Sequence, residues 1–327
     1  MASATQLHRS LLLGPVAAAL LCASGCSPIQ SALHPAGTDA SELANLFWFM
    51  TISGAVIWAA VMAVVIYAVL GKRRPSSEKF ADRFILAGGV AFPSVALALL
   101  LIFGLQLLPS WGEQDPPDLR IHVSGEQYWW RIAHELPDGS RIETANELHL
   151  PVDAVAEFVL TSPDVIHSFW IPALGGKMDA IPGRTNVLRL EPTKPGIYRG
   201  VCAEFCGPSH ALMAFPVIVH EAAEYAAWLA AEQQPAAATG SDAFIAAGCG
   251  ACHTVRGVTE QGRIGPDLTH VARRSTIAAG TLPNTRPHLA AWIASPDHAK
   301  PDARMPPYAS LPEDDRNAIV DYLMSLT

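Results

Sequence analysis

Residues 202–213 read CAEFCGPSHALM, which puts two thiols, an imidazole and a thioether (Cys202, Cys206, His210 and Met213) within twelve residues. The spacing would suit one stripe of a helix, but Gly207-Pro208 between Cys206 and His210 opposes a continuous helix, so a loop wrapped round an ion is expected. Thiolate, imidazole and thioether together select copper; zinc comes second because Cys and His also suit it, and the methionine tips the balance. Close cysteine pairs in an oxidising compartment could instead be disulfides. A second histidine would complete the site. His167, in Ser162–Trp170 on another β connection 35 residues upstream, is the candidate, although a lone loop histidine is more often structural.

Around this stretch the chain has the rhythm of an all-β domain. Leu119–Val123, Tyr128–Ala133, Val155–Thr161, Asn186–Leu190, Gly196–Val201 and Phe215–His220 are short runs rich in Val, Ile and aromatics, broken by Gly and Pro. The expected architecture is a β-sandwich with Greek-key connections. Residues 109–234 carry 17 acidic and 8 basic side chains, which argues against nucleic acid as a partner and favours a basic protein if a charged one docks there. A merely solvated acidic surface is the alternative.

Upstream, Leu46–Leu70 and Phe84–Leu108 each run 25 residues without a charge, long enough to span a membrane with some tilt. The connector carries Lys72, Arg73, Arg74, Lys79 and Arg83 against Glu78 and Asp82, which marks it as cytoplasmic and puts both termini outside. At the start, His8 and Arg9 precede an apolar stretch too short to span, the pattern of a secretory signal. The following Ala23-Ser24-Gly25-Cys26 resembles a bacterial lipobox, with Ala23 where leucine is usual, making Cys26 a candidate for lipidation.

Downstream of an alanine-rich linker (234–240), the chain is expected to be helical. Cys249-Gly250-Ala251-Cys252-His253 is a CxxCH, the attachment signature of c-type haem: two thiols bond the porphyrin vinyl groups and leave the next histidine beneath the iron. Met305, in a loop that Pro306 and Pro307 hold extended, is the candidate sixth ligand. His270, His288 and His298 are the alternatives, in less constrained segments. The last helix should begin after Pro312 and pack Ile319, Tyr322, Leu323 and Leu326 inward.

From Ser241 to Thr327 the chain resembles a class I cytochrome c, including Ile264-Gly265-Pro266-Asp267-Leu268, where that family's proline carbonyl supports the haem histidine. His167 followed by Cys202, Glu204, Cys206, His210 and Met213 resembles the CuA centre of cytochrome c oxidase subunit II, and the likeness runs from about Leu46 to Glu221. With the haem domain attached, the match is to the fused subunit II of caa-type oxidases. That resemblance implies two coppers bridged by Cys202 and Cys206, one histidine on each, and Met213 and the Glu204 carbonyl completing the shell. It also implies a Glu204 side chain that helps to bind magnesium against subunit I, and Gln127-Tyr128-Trp129-Trp130 as an aromatic patch for incoming electrons, with Tyr128 where tryptophan is usual. The implied partners are subunit I and other oxidase subunits, a soluble or membrane cytochrome c or another respiratory donor, and membrane lipid. The implied location is the outer, periplasmic side of a bacterial inner membrane.

The expected organisation is therefore a signal segment (1–26), an N-terminal segment with a two-helix hairpin (27–108), a cupredoxin-like domain (109–221), a helix and linker (222–240), and an all-α cytochrome c domain (241–327). A membrane-tethered shuttle and an exported copper-delivery protein are the other classes this set of motifs admits.

Overall fold

The computed structural model of the protein describes residues 28–71, 77–106, 116–237 and 241–327. The signal segment, Cys26 and connector residues Lys72–Arg74 lie outside the described residues, as does the boundary near residue 109.

Two helices are long and apolar enough to cross a membrane: α1, Thr38–Leu70, and α2, Glu78–Gln106. Ser77 caps α2 by accepting the Phe80 amide at 3.3 Å, and the helix widens into a π-helical turn at Ala87–Ala91. Their large apolar side chains, Trp58, Leu70 and Leu97 among them, stand exposed. A helix apolar on every side finds its solvent in lipid or in a buried core.

The β-domain is a sandwich of two five-stranded sheets. One has the order β3-β2-β1-β5-β8 and the other β4-β10-β9-β6-β7. The strands are β1 Leu119–Glu126, β2 Trp129–Glu135, β3 Arg141–Ala145, β4 Leu148–Pro151, β5 Ala156–Thr161, β6 His167–Trp170, β7 Lys177–Ala180, β8 Asn186–Leu190, β9 Gly196–Cys202 and β10 Ala214–His220. Alternation along β1 and β2 turns Ile121, Val123, Trp130, Ile132 and His134 inward. Trp130 meets Phe169 and Phe215 edge-on, with ring centroids 5.5 and 5.7 Å apart, and these two phenylalanines stack at 5.1 Å. Gly200 makes room for this cluster, since a Cβ there would stand 2.1 Å from the Phe215 ring.

All six runs expected as strands form strands. Four further strands, β3, β4, β6 and β7, carry no such signal, being five residues or fewer. One consequence is a correction: His167 opens strand β6 rather than lying on a connection.

Helix α3, Ala222–Glu232, lays Trp228 flat on His149 at 4.0 Å. The C-terminal region builds its own core from Phe244, Val255, Leu289, Ile293, Ile319 and Leu323. Its helices are α4 Asp242–Ala246, α5 Arg286–Ala294, α6 Pro296–Ala299 and α7 Glu313–Ser325. A ribbon of β11 Thr276–Ile277 and β12 Leu282–Pro283 amends the all-α expectation. In α7, Glu313, Asp314 and Asp315 occupy the first turn, and Val320 joins the expected inward face.

Candidate metal centre and haem cavity

Strand pairing builds the metal centre. β9 ends at Cys202, and β6 pairs with it in the register Phe169 to Cys202, which carries His167 alongside. The loop leaving Cys202 is closed where the Cys202 amide donates to the Met213 carbonyl at 2.9 Å. A 3-10 turn, His210–Leu212, brings His210 and Met213 back over Cys206.

The sulfurs of Cys202 and Cys206 stand 3.9 Å apart as free thiols, which removes the disulfide alternative for this pair. His167 Nδ1 is 3.8 Å from the Cys202 sulfur, and His210 Nδ1 is 3.6 Å from that of Cys206. The Met213 sulfur lies 3.9 Å from Cys206, and the Glu204 carbonyl oxygen 3.2 Å from Cys202. Four ligands each about 2.3 Å from one ion stand about 3.8 Å apart, so these spacings suit metal-bracketing donors. Among the described residues, His167, Cys202 and Cys206 are the group of three that can close on a single ion. The donor set of two thiols, two imidazoles, a thioether and a carbonyl therefore fits a soft dinuclear copper centre.

Electrostatics prepare the same site. The Cys206 thiol, hydrogen-bonded to the Cys202 sulfur, holds Cys202 well below the ordinary thiol range, with His167 adding to the effect. The same interaction pushes Cys206 upward, so without a cation the pair keeps one shared proton. His167 is fully buried, and its Nε2 lies 2.9 Å from Asp164 Oδ1. That carboxylate accepts the Nε2–H hydrogen bond and leaves Nδ1 facing the sulfurs. Gly125 supports the ring from behind, since a Cβ there would come within 2.8 Å of His167 Cγ.

The three aromatic candidates separate. Trp130 is fully buried and packs its ring 6.0 Å from His167. Tyr128 is buried and donates its hydroxyl to Asp302 Oδ2 at 2.9 Å, while Trp129 is half-exposed beneath the Arg131 guanidinium. Glu204 and Phe205 turn their side chains outward between the cysteines.

The second site is a cavity of about 220 Å³ that Cys249, Cys252, His253 and Met305 all line. Gly248, left-handed at φ 77°, ends α4 and starts the 3-10 turn Cys249–Ala251, after which the His253 amide returns to the Cys249 carbonyl at 3.0 Å. His253 Nδ1 donates to the Pro266 carbonyl at 2.8 Å, so Nε2 is the nitrogen left for a metal. Burial holds its pKa down, favouring the neutral, ligating form. Gly265 lies against this ring, where a Cβ would meet Cε1 at 2.5 Å. Cationic Arg274 and Arg304 also line the cavity and suit a ligand bearing carboxylates. The residues therefore fit a covalently held haem. Of the alternative histidines, His270 is buried, with its ring nitrogens 3.1 and 3.0 Å from the Thr327 and Gln234 carbonyls. None of the three lines the cavity.

Tyr128 and Trp129 of the β-domain line this haem cavity as well. Sequence reasoning also passed over Asp164, Gln127, Ser209, Lys300 and Asp302 as functional residues. Asp164, three residues before His167, was the one with a local signal.

A sandwich with a cysteine-rich metal loop, two helices long and apolar enough to cross a membrane, and a CxxCH cavity define the class, an electron-transport protein with copper and c-type haem sites. Residues 131–222 match the family described as cytochrome c oxidase subunit II, periplasmic domain, and residues 237–327 match cytochrome c. Cytochrome c oxidase subunit 2 of Alkalihalophilus pseudofirmus is 33% identical over 95% of this chain and 96% of its own length. That of Bacillus subtilis is 30% identical over 94% of each. The crystal structure of the periplasmic domain of subunit II of cytochrome oxidase from Bradyrhizobium japonicum is 35% identical over 36% of this chain and 95% of its own, with a TM-score of 0.34. The chain belongs to the cytochrome c oxidase subunit 2 family, in the form that carries a fused cytochrome c domain.

Proposed function

We propose that this chain is the subunit through which electrons reach a haem-copper oxidase, taken up in its C-terminal domain and delivered by way of the β-domain to subunit I. The observation that carries the reading is the convergence of four donors on the sulfurs of the Cys202–Cys206 pair, with all these separations between 3.2 and 3.9 Å. When bound, haem c and the CuA pair supply two one-electron carriers. Cys249 and Cys252 would tether the first, with His253 and Met305 as its iron ligands, a pairing that would give a higher potential than two histidines. Cys202, Cys206, His167, His210, Met213 and the Glu204 carbonyl would hold the second. The disposition of Tyr128 and Trp129 on the haem cavity, with Trp130 against His167, supports these rings as the connection between the sites.

The proposal extends to the surroundings. The Glu204 carboxylate, exposed beside the metal loop, would bind magnesium at the boundary with subunit I, where oxygen is reduced with coupled proton translocation. Helices α1 and α2 within residues 27–108 would anchor the chain in a bacterial inner membrane, with residues 109–221 and 241–327 on the periplasmic side and Cys26 lipidated. A cytochrome c or another respiratory donor would supply the electrons.

Purification from native membranes tests the reading. A larger haem-containing membrane protein should accompany the chain, with two coppers and one covalent haem per chain. A mixed-valence copper EPR signal should be present and vanish in Cys202→Ser. Recovery of the chain alone, or with a single labile copper, would sink it.

A further inference from the structure

The loop that carries Met305 is fastened to the loop that carries the copper donors. Ser209, fully buried, donates its hydroxyl to the Pro301 carbonyl at 2.5 Å. Lys300, 3% exposed, donates to the Leu212 carbonyl at 3.1 Å and to that of Ala278 at 3.0 Å. Tyr128, also 3% exposed, reaches Asp302. Arg304, next to Met305, binds Gln127 Oε1 at 3.0 Å and Asp164 Oδ2 at 3.1 Å. Gln127 in turn donates from Nε2 to the Cys206 carbonyl at 2.7 Å, and Asp164 holds His167. In Lys300–Arg304, four of five residues thus bond to groups within one or two steps of a copper donor.

The buried members carry the weight. The ion pair of Arg304 with Asp164, open to solvent on the arginine side, adds comparatively little. A buried hydroxyl or ammonium must find a partner, and Ser209, Tyr128 and Lys300 find theirs across the domain boundary. Such contacts belong to a packed interface rather than to a passing encounter. Within the β-domain, Gly207 leaves room for the Tyr128 side chain that reaches across: with φ at 133°, a Cβ there would stand 2.4 Å from the Tyr128 hydroxyl.

We infer that Lys300–Arg304 is a latch that joins the loop holding the haem's methionine to the loop holding the copper donors, so that the state of each metal site biases the other. Ser209, Tyr128 and Lys300 are its positioning residues. The inference rests on the proposed cofactor assignment but adds a property which that assignment does not require. Linkage makes the effect reciprocal: whatever factor copper removal applies to Met305–iron ligation, loss of that ligation must apply to copper affinity.

The test uses the purified oxidase containing the full chain. Imidazole is titrated against Met305, read by the far-red sulfur-to-iron charge-transfer band, in the copper-loaded and chelator-stripped protein. Stripping should ease displacement by about 5- to 150-fold, the usual range of coupling between sites, and copper should bind correspondingly more weakly in Met305→Ala. Hydrogen exchange at residues 300–304 should quicken on stripping, a readout that needs no variant. In Ser209→Ala and Lys300→Met the coupling should shrink toward unity while the covalent haem content holds, and Lys300→Arg should restore part of it. Equal displacement curves with and without copper, or unchanged exchange at 300–304, would overturn the latch. Absence of haem or copper from the wild-type protein would instead overturn the cofactor assignment.

Discussion

The copper loop and the haem cavity prepare for their metals in different ways. Around Cys202 and Cys206 each further donor already stands within 3.9 Å of one of the two sulfurs, placed by strand register and by one short loop. In the C-terminal domain, Cys249, Cys252, His253 and Met305 line a cavity of about 220 Å³, one wall of which comes from the β-domain. A bare ion needs its ligands at bonding separation, whereas a macrocycle supplies four ligands itself and needs a slot. Rigidity is therefore concentrated at the donors in the first case and spread over a wall in the second. Both sites share one device, a glycine pressed against the metal-facing histidine, Gly125 behind His167 and Gly265 behind His253.

The largest expected break in the comparison is Cys206→Ser. It should abolish copper retention, measured by metal analysis, and leave one covalent haem per chain, because the tethers at Cys249 and Cys252 lie in another core. Next comes Trp130→Ala. The lost ring sits among His167, Phe169 and Phe215, so the β-domain should lose about 3–5 kcal/mol by denaturant titration, with copper lost alongside. Haem binding should change less, since the haem domain's own core is untouched.

The glycine pair sharpens the parallel. Gly125→Ala should displace the His167 ring from Asp164 and weaken copper binding by about 10- to 100-fold, the cost of a lost outer-shell partner. Gly265→Ala should push His253 off the Pro266 carbonyl and alter the haem absorption spectrum while the thioether bonds remain. A spectrum identical to wild type would show that the cavity wall can yield where the copper site cannot.

The smallest effect concerns pH and lies away from both metals. His134 is buried against Tyr225 and Trp228, with His149 nearby, and burial lowers its pKa to about 3. An unfolded histidine binds its proton near pH 6.5, so between these values the unfolded state holds more protons and stability falls as pH falls. The slope from this residue should be at most about 1.4 kcal/mol per pH unit, fading above pH 6.5. His134→Leu should flatten the dependence of thermal stability on pH over that window.

Much of this was legible in the chain. The CxxCH, the twelve-residue copper loop, the two uncharged runs and six strands rest on local spacing, which covalent geometry carries into the folded state unchanged. His167 was legible only by resemblance, because its place beside Cys202 depends on β6 pairing with β9, and β6 is four residues long. Its backing glycine was invisible for the same reason, since it lies on a strand of the opposite sheet, whereas Asp164 had its spacing three residues before His167 to mark it.

The sequence by itself determined which atoms are suited to metal, because thiols, imidazoles and thioethers are chemically particular and most of them here are neighbours along the chain. Only the tertiary structure decided that the haem loop would rest on the copper loop through Lys300, Ser209 and Tyr128. Partners separated by 88 to 174 residues meet through packing and register, which no local pattern encodes.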